Sequence, residues 1–309
     1  MQFNEYLKLC RENYSLTQGE LVSDLYTHDI DNFASLDNTT LSKWERNIIQ
    51  PRVSKQVSLI KYFQKHADIP LPCWDNYSIE EAEELICRVG MKNLLGENKQ
   101  YVCNFPSNFI KMDELIIQPL RNCDDMNTIL EMNIELHKNM NHPSTQISIE
   151  QFKAWALHPS SSFYVCKYKG MYMGHIFSIR INPEILTKVL DFEMQKSDIE
   201  LDDLTTFDEM GSEMLLSFFA ANTKSATTLF IRYYAHLIAN QRSIKEIGGL
   251  TKINEAKKIV ASMNLNLYKR KSTDDGVVIE ADRQTLNNAL ASENVVKMIL
   301  TKQNCPEEI

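Results

Sequence analysis

The spacing of apolar residues changes near residue 111, and this change limits the possible folds more than any other feature of the sequence. Before it, apolar residues recur every three or four positions, as along 3–13 and 53–64, which predicts short helices. After it, 162–181 alternates on both sides of a Lys-Gly pair, which predicts two strands joined by a tight turn. We therefore expect an α+β protein, with an N-terminal all-α bundle followed by a mixed α/β domain.

The 309 residues are enough for two hydrophobic cores. We expect the bundle over 1–66, a linker with one helix over 67–110, the mixed domain over 111–285 and a C-terminal tail over 286–309. Within 111–285 the predicted order of elements is β-α-β-β-β-α-β-α-β-β.

Several classes of protein are disfavoured by composition. No apolar run approaches the roughly 20 residues of a membrane span, and the polar start is unlike a secretory signal. Seven cysteines without a CxxC pair indicate reduced thiols, so we expect a cytoplasmic protein. The spacing of His137, His142 and His158 matches no zinc motif, and we expect no metal site.

Charge is divided within the first 65 residues. Residues 1–37 carry two basic and seven acidic side chains, whereas 38–65 carry six basic side chains and one acidic. A basic face beginning near residue 38 suits phosphates, while the overall charge of -8 limits non-specific binding.

Two helix starts can be identified from their caps. Thr17 followed by Glu20 has capping-box spacing, and Asp37 or Asn38 can cap a helix that runs to about Arg46.

The second of these helices has two different faces. Leu41 and Trp44 form its inward side, which leaves Asn38, Thr39 and Lys43 pointing outward. Asn suits adenine, Lys suits guanine and the Thr methyl suits thymine.

Residues 1–66 resemble the phage-repressor-like helix-turn-helix family, the Cro/C1 or XRE class. The matching residues are Leu16, Thr17, Gln18, Glu20, Leu21, Thr40, Leu41, Ser42, Trp44, Glu45, Pro51 and Leu59. The chain departs from the family where 28–35 lengthens the turn between the two helices, and where Asn47 replaces a common glycine.

The resemblance implies binding of double-stranded DNA in the major groove, by a homodimer on a two-fold-related site. Gln18, Arg46, Arg52 and Lys55 are then expected at phosphates. The full set of expected DNA contacts is Gln18, Asn38, Thr39, Thr40, Ser42, Lys43, Arg46, Arg52 and Lys55.

Residues 111–285 resemble the GNAT acyltransferase fold. The resemblance is carried by an Asp-containing turn after the first strand, by the Lys-Gly turn, and by Gly174, His175 and Ile176 in the strand that follows it. In this family, a Gly-rich loop after the fourth strand cradles the pyrophosphate of coenzyme A. The equivalent stretch here, 222–230, lacks glycine. The resemblance implies that an acyl-CoA or similar ligand would meet Asn222, Lys224, Ser225, Ala226, Thr227 and Thr228.

The family's general acid is often a tyrosine on the last helix, where this chain has Val260, which cannot donate a proton. The candidate substitutes are Tyr233, Tyr234, His236, Asp208 and Glu209, and for each a structural or solvent-exposed role is the simpler expectation. We also expect His175 to be structural. The catalytic residues are therefore left unassigned.

Three functions remain open. The leading hypothesis is a sequence-specific transcriptional regulator whose C-terminal domain senses a ligand or forms a dimer. The alternative is an active N-acyltransferase that carries the helix-turn-helix bundle for targeting. The third is a protein–protein adaptor without enzymatic activity.

Overall fold

The computed structural model describes residues 2–66, 71, 77–87, 109–140, 147–252, 254–274 and 276–300. Most of the expected linker over 67–110 and the last nine residues of the expected tail lie outside these ranges. No described helix is both long enough and apolar enough to cross a membrane.

Residues 2–66 form five helices, in the part of the chain where a helical bundle was expected. Asp37 is the cap that begins its fourth helix, and the Thr17–Glu20 capping box is present. A short helix lies within the stretch expected to be a connection. The helices are α1 (Phe3–Asn13), α2 (Gln18–His28), α3 (Ile30–Phe33), α4 (Asn38–Glu45) and α5 (Val53–His66).

A seven-stranded sheet forms the C-terminal part. Its order is β1-β2-β3-β4-β5-β7-β6, and among these described strands β4 and β5 form the one parallel pair. The strands are β1 (Leu115–Pro119), β2 (Ser162–Tyr168), β3 (Met171–Ile181), β4 (Gly211–Ala220), β5 (Ile244–Thr251), β6 (Asn266–Ser272) and β7 (Val278–Thr285). The predicted order of strands along the chain is therefore present, including the hairpin at Lys169 and Gly170.

Helices cover both faces of the sheet. One apolar cluster joins Phe163, Val165 and Phe177 to α7 (Met126–Met140), α8 (Ile149–Leu157) and α9 (Pro183–Leu190). A second cluster, on the other face, includes α10 (Thr223–Ala239) and α11 (Asn254–Ser262). The predicted order lacked α8 and α9, because helices of eight or nine residues show barely two turns of apolar spacing.

The one helix expected in the linker is α6 (Ile79–Leu85), which begins at the cap Ser78 and packs against α10. It ends at residue 85, since Ile86 is already in extended conformation.

The segment expected to be a C-terminal tail instead contains two buried helices, α12 (Leu286–Leu290) and α13 (Glu293–Leu300). Helix α13 packs against α5, and the Gln64 side chain donates a hydrogen bond to the Asn287 carbonyl oxygen at 3.2 Å. One hydrophobic cluster consequently runs from the bundle into the α10 side of the sheet. The apolar residues of this segment close the bundle onto the sheet, which is why it is not a solvated tail.

Candidate functional site

The outward face of α4 is exposed, as the sequence predicted. Asn38, Thr39 and Lys43 are exposed, while Leu41 and Trp44 are buried. Thr40 and Ser42 are partly exposed at its sides. The polar tips of α4 are therefore accessible in the folded chain and are not covered by the C-terminal domain.

Glu45 fixes the position of α4 within the bundle. Its carboxylate accepts hydrogen bonds from Arg11 Nε at 2.5 Å and from Gln18 Nε2 at 2.8 Å. The hydrogen bond to Glu45 raises the pKa of Arg11. Because the Gln18 amide is used inside the bundle, its expected contact with a phosphate would fall to the backbone at the start of α2.

The basic residues expected at phosphates follow α4. Arg46 and Arg52 are exposed and Lys55 is partly exposed. Asn47, which follows the C-cap of α4, has a φ of 57°, the left-handed conformation in which glycine is common. Asn47 thus ends α4 in the conformation that a glycine would adopt there.

Strands β4 and β5 separate beyond Leu215, and we call the space between them the cleft. The two strands pair from Gly211↔Ile244 to Leu215↔Gly249, and beyond Leu215 β4 pairs with β3 alone as far as Ala220. Residues 215–219 are partly exposed although their strand is central in the sheet. A ligand can therefore reach the backbone and side chains of this half of β4.

Three polar side chains form a hydrogen-bonded chain at this half of β4. His175 Nε2 lies 2.8 Å from Ser217 Oγ, and His175 Nδ1 lies within hydrogen-bonding distance of the Tyr172 hydroxyl. His175 is buried, whereas Tyr172 and Ser217 are partly exposed. The Tyr172 ring also stacks on Phe219, with 6.1 Å between ring centroids.

The protonation of the Tyr172 hydroxyl bears on the direction of hydrogen bonding among Tyr172, His175 and Ser217. Burial raises the pKa of Tyr172, so its hydroxyl carries a proton that it can donate to His175 Nδ1. In the tautomer of His175 that accepts this proton at Nδ1, Nε2 carries the imidazole proton and donates to Ser217 Oγ. The Ser217 hydroxyl proton is then directed away from His175, and Ser217 is the donor end of the chain.

The sequence did not reveal this arrangement. Tyr172 and His175 are three residues apart, which in a regular strand places them on opposite faces. A bulge in β3 brings Tyr172 and His175 to the same face. The neighbouring residues Cys166 and Lys167 of β2 pair with Gly174 and Tyr172, which leaves one extra residue in β3 between that pair. His175 was expected to be structural, and Tyr172 and Ser217 were not considered.

The residues expected to meet acyl-CoA lie at the N-terminus of α10, two residues after β4. Asn222 Oδ1 accepts from the Ser225 N–H at 2.9 Å, and Lys224 Nζ donates to the Ile110 carbonyl oxygen at 2.6 Å. Asn222, Ser225, Ala226, Thr227 and Thr228 are buried, and Thr223 is exposed.

This helix N-terminus fits a pyrophosphate poorly. Most of its donors are covered by protein, and those of Lys224 and Thr228 already bond to carbonyl oxygens. No residue of this terminus is therefore assigned to the cofactor.

The other catalytic candidates lie elsewhere. His236 is buried and contacts Ser162 Oγ at 2.8 Å and Glu213 Oε1 at 3.3 Å. Tyr233 and Tyr234 are buried, and burial raises the pKa of both hydroxyls. Asp208 and Glu209 are exposed before the start of β4, at the end of the strand away from the cleft.

No group of three or more potential metal ligands occurs among the described residues. The side chains of His137 and His142 lie outside that set. Among the described residues, Cys123 and Cys166 are free and buried thiols, and Cys10 and Cys87 are buried.

Comparisons with known proteins give structural likeness only. No protein-family model matches the chain, and no curated protein matches it. FeeM, an N-acyl amino acid synthase from uncultured soil microbes, is 10% identical with a TM-score of 0.39, over 57% of this chain and 92% of that protein. An agmatine N-acetyltransferase is 9% identical with a TM-score of 0.37, over 56% of this chain and 100% of that one. An aminoglycoside acetyltransferase in complex with coenzyme A is 15% identical with a TM-score of 0.33, over 57% of this chain and 95% of that one. Scores this low assign neither a substrate nor an activity to this chain.

Proposed function

We propose that the C-terminal domain is an N-acyltransferase that transfers an acyl group from a thioester to an amine, and that the helical bundle targets it. The observation that carries this proposal is the cleft between β4 and β5, with the Tyr172–His175–Ser217 chain beside it. The cleft gives a substrate access to Ser217. The Tyr172–His175–Ser217 chain supplies a positioned proton donor, a role that Val260 cannot fill.

Acyl transfer requires proton transfers that the Tyr172–His175–Ser217 chain can provide. The thioester supplies an activated carbonyl carbon. As the amine nitrogen bonds to that carbon, the amine must lose a proton and the leaving sulfur must gain one. Ser217 Oγ donates its proton to the leaving sulfur as His175 Nε2–H passes to Ser217 and the Tyr172 hydroxyl proton passes to His175 Nδ1. The proton that the amine releases goes to the Tyr172 oxygen, which restores the Tyr172–His175–Ser217 chain to its starting state.

The test is acyl transfer from acetyl and longer acyl thioesters to a panel of primary amines. We expect Ser217→Ala and His175→Ala to lower kcat by about 100-fold, the usual contribution of a positioned proton donor. Tyr233→Phe is the matched control, because its buried hydroxyl lies outside the cleft, and it should keep the wild-type kcat. Wild-type turnover in both cleft variants would contradict the proposal.

A second candidate function is sequence-specific DNA binding, with the C-terminal domain as a sensor or dimerisation unit. It is favoured by the exposed Asn38, Thr39 and Lys43 on α4, beside the exposed Arg46 and Arg52. At a selected operator, Lys43→Ala should weaken binding about 10-fold or more and relax the preference for one base.

The matched variant in this assay is Arg52→Ala. It should weaken binding to all sequences alike and reduce the salt dependence by about one counterion. Equal effects of Lys43→Ala and Arg52→Ala on random DNA would argue against base recognition by α4.

A further inference from the structure

We propose that the cavity between α6 and α10 is a binding site for a small carboxylate, separate from the cleft between β4 and β5. The cavity has a volume of about 110 Å³. Its walls include Glu80, Arg121, Ser161, Tyr164 and Arg232. Positively charged and hydroxyl groups therefore meet at one enclosed place, which suits an anion with hydrogen-bond acceptors.

Two donors in these walls have unused hydrogen-bonding capacity. Ser161 is 8% exposed, and among the described residues its hydroxyl has no hydrogen-bond partner. The same holds for the Nε–H of Arg232. A buried polar group without a partner is unfavourable, so a ligand acceptor that bonds to both groups removes this cost.

Two carboxylates of the protein already contact Arg232. Glu80 Oε1 lies 2.7 Å from Arg232 Nη1, and Glu83 Oε2 lies 2.6 Å from Nη2. The side chain of Glu83 is 22% exposed, but that of Glu80 is 69% exposed. An ion pair so exposed is weak, and the Glu80 carboxylate can be displaced by a ligand carboxylate while Glu83 keeps its contact.

The charge beside the cavity is not cancelled by the neighbouring phenol. The Arg232 guanidinium lies 5.7 Å from the centroid of the Tyr164 ring, and burial raises the pKa of Tyr164 to about 12. Tyr164 is therefore neutral at physiological pH and presents an aromatic face to the cation, which favours the guanidinium in this position.

Size limits the ligand to a few heavy atoms. A volume of 110 Å³ corresponds to about four water molecules at roughly 30 Å³ each. An acetate or a short hydroxy acid fits this space, whereas a nucleotide does not. Arginine forms paired hydrogen bonds with a planar carboxylate, which favours this class over a halide ion.

The register of the sheet separates the cavity from the cleft. Ser161 precedes β2, whose first residue Ser162 pairs with Ser178 of β3. His175, which lies beside the cleft, pairs with Val165 three residues further along β2. At about 3.3 Å per residue, the two sites are roughly 10 Å or more apart along the strand.

The test is titration of the full chain with sodium acetate at constant ionic strength, by calorimetry and by carboxylate-observed NMR. We expect saturable binding that Ser161→Ala weakens about 5-fold and Arg232→Gln abolishes. Glu80→Gln should strengthen binding about 3-fold or more, since it removes the competing carboxylate. Glu84→Gln on the same helix is the matched control and should leave the affinity unchanged.

The increase in Glu80→Gln is the decisive result, because a damaged fold cannot tighten binding. Saturable acetate binding that is unchanged in Glu80→Gln and Ser161→Ala would place the ligand elsewhere and overturn the proposal. So would a response to acetate no larger than the response to chloride, which would mean that the cavity holds water only. Acetate binding that survives in Ser217→Ala keeps this site independent of the proposed acyl transfer.

Discussion

The N-termini of α4 and α10 follow the same capping rule and have opposite surroundings. Asp37 accepts a hydrogen bond from the Thr40 N–H, and Asn222 accepts one from the Ser225 N–H. The residues that follow Asp37 point into solvent, whereas most of those that follow Asn222 are buried.

The difference arises from what each helix packs against. Helix α4 buries one side, with Leu41 and Trp44, and leaves the other to solvent. Helix α10 lies between the sheet and α6, and its buried residues occupy all sides of its middle turns. A cap therefore identifies where a helix begins, but the neighbouring elements decide whether a nucleic acid or a phosphate can reach that end.

The largest expected effect on stability concerns the strands that lead into the covered N-terminus of α10. It is expected at Gly174 of β3, which pairs with Ala220 at the end of β4. Gly174 has a φ of 146°, and a Cβ there would lie 2.3 Å from the Phe219 carbonyl oxygen. We expect Gly174→Ala to lower the free energy of unfolding by about 3 kcal/mol, from strain and overpacking together. Urea denaturation measures this loss.

Gly170→Ala is the control, since Gly170 has a φ of 81° and, apart from its chain neighbours, no atom of the described residues lies within 4 Å of the added Cβ. It should lose only about 1 kcal/mol from backbone strain. Losses of equal size in the two variants would show that β3 and β4 do not approach each other as closely as described.

The next prediction compares the two caps directly. Asn222→Ala should lower the free energy of unfolding by about 2 kcal/mol, the upper range for loss of an N-cap, because the freed Ser225 N–H is buried. Asp37→Ala should produce a clearly smaller loss, because water replaces its hydrogen bond to Thr40. Thermal and urea unfolding measure both, and a larger loss for Asp37→Ala would reverse the comparison.

A half-buried lysine in the C-terminal part gives a pH-dependent effect of similar size. Burial, with a contribution from the charge of Lys252, lowers the pKa of Lys196 to about 8. Between about pH 8 and 10.5 the unfolded chain binds more protons at this residue than the folded chain, so stability rises with pH.

Relative to Lys196→Met, the wild-type protein should gain about 2 kcal/mol of unfolding free energy between pH 7 and 9.5. Urea denaturation at each pH measures this difference. A difference that stays constant over this range would mean that Lys196 titrates in the folded chain as it does in the unfolded one.

The smallest expected effect is a loss of stability at low pH, at the exposed cap residue Asp37. Hydrogen bonds from Thr40 lower the pKa of Asp37. Its contribution to stability is therefore present above the ordinary pKa of aspartate and is lost as the pH falls through the lowered value. The stability advantage of the wild type over Asp37→Asn should shrink as the pH falls from 6 to 2.5, while the pH profile of Asn222→Ala should parallel that of the wild type.

Features with local causes could be predicted from the sequence. The capping box of Thr17 and Glu20, the cap at Asp37 and the tight turn at Lys169 and Gly170 each depend on a few neighbouring residues. The order of strands also followed from alternation within single segments. The exposed face of α4 was predicted for the same reason, since its inward side is set by two apolar residues one turn apart.

The candidate active site depended on contacts between distant segments. Tyr172 and His175 share a face only because β3 contains a bulge, and Ser217 joins them only because β3 and β4 are paired in that register. The cleft exists because β4 leaves β5 after Leu215, which no local pattern in either strand indicates.

The sequence by itself determined the helical bundle, the strand order and the polar side of α4, because helix caps, turns and apolar spacing act over a few residues. Only the tertiary structure decided that the last helices close the bundle onto the sheet, that the N-terminus of α10 is covered, and that the Tyr172–His175–Ser217 chain forms beside a cleft. Burial and strand register are set by partners far apart in the chain, so the same local signal can end in solvent or in the core.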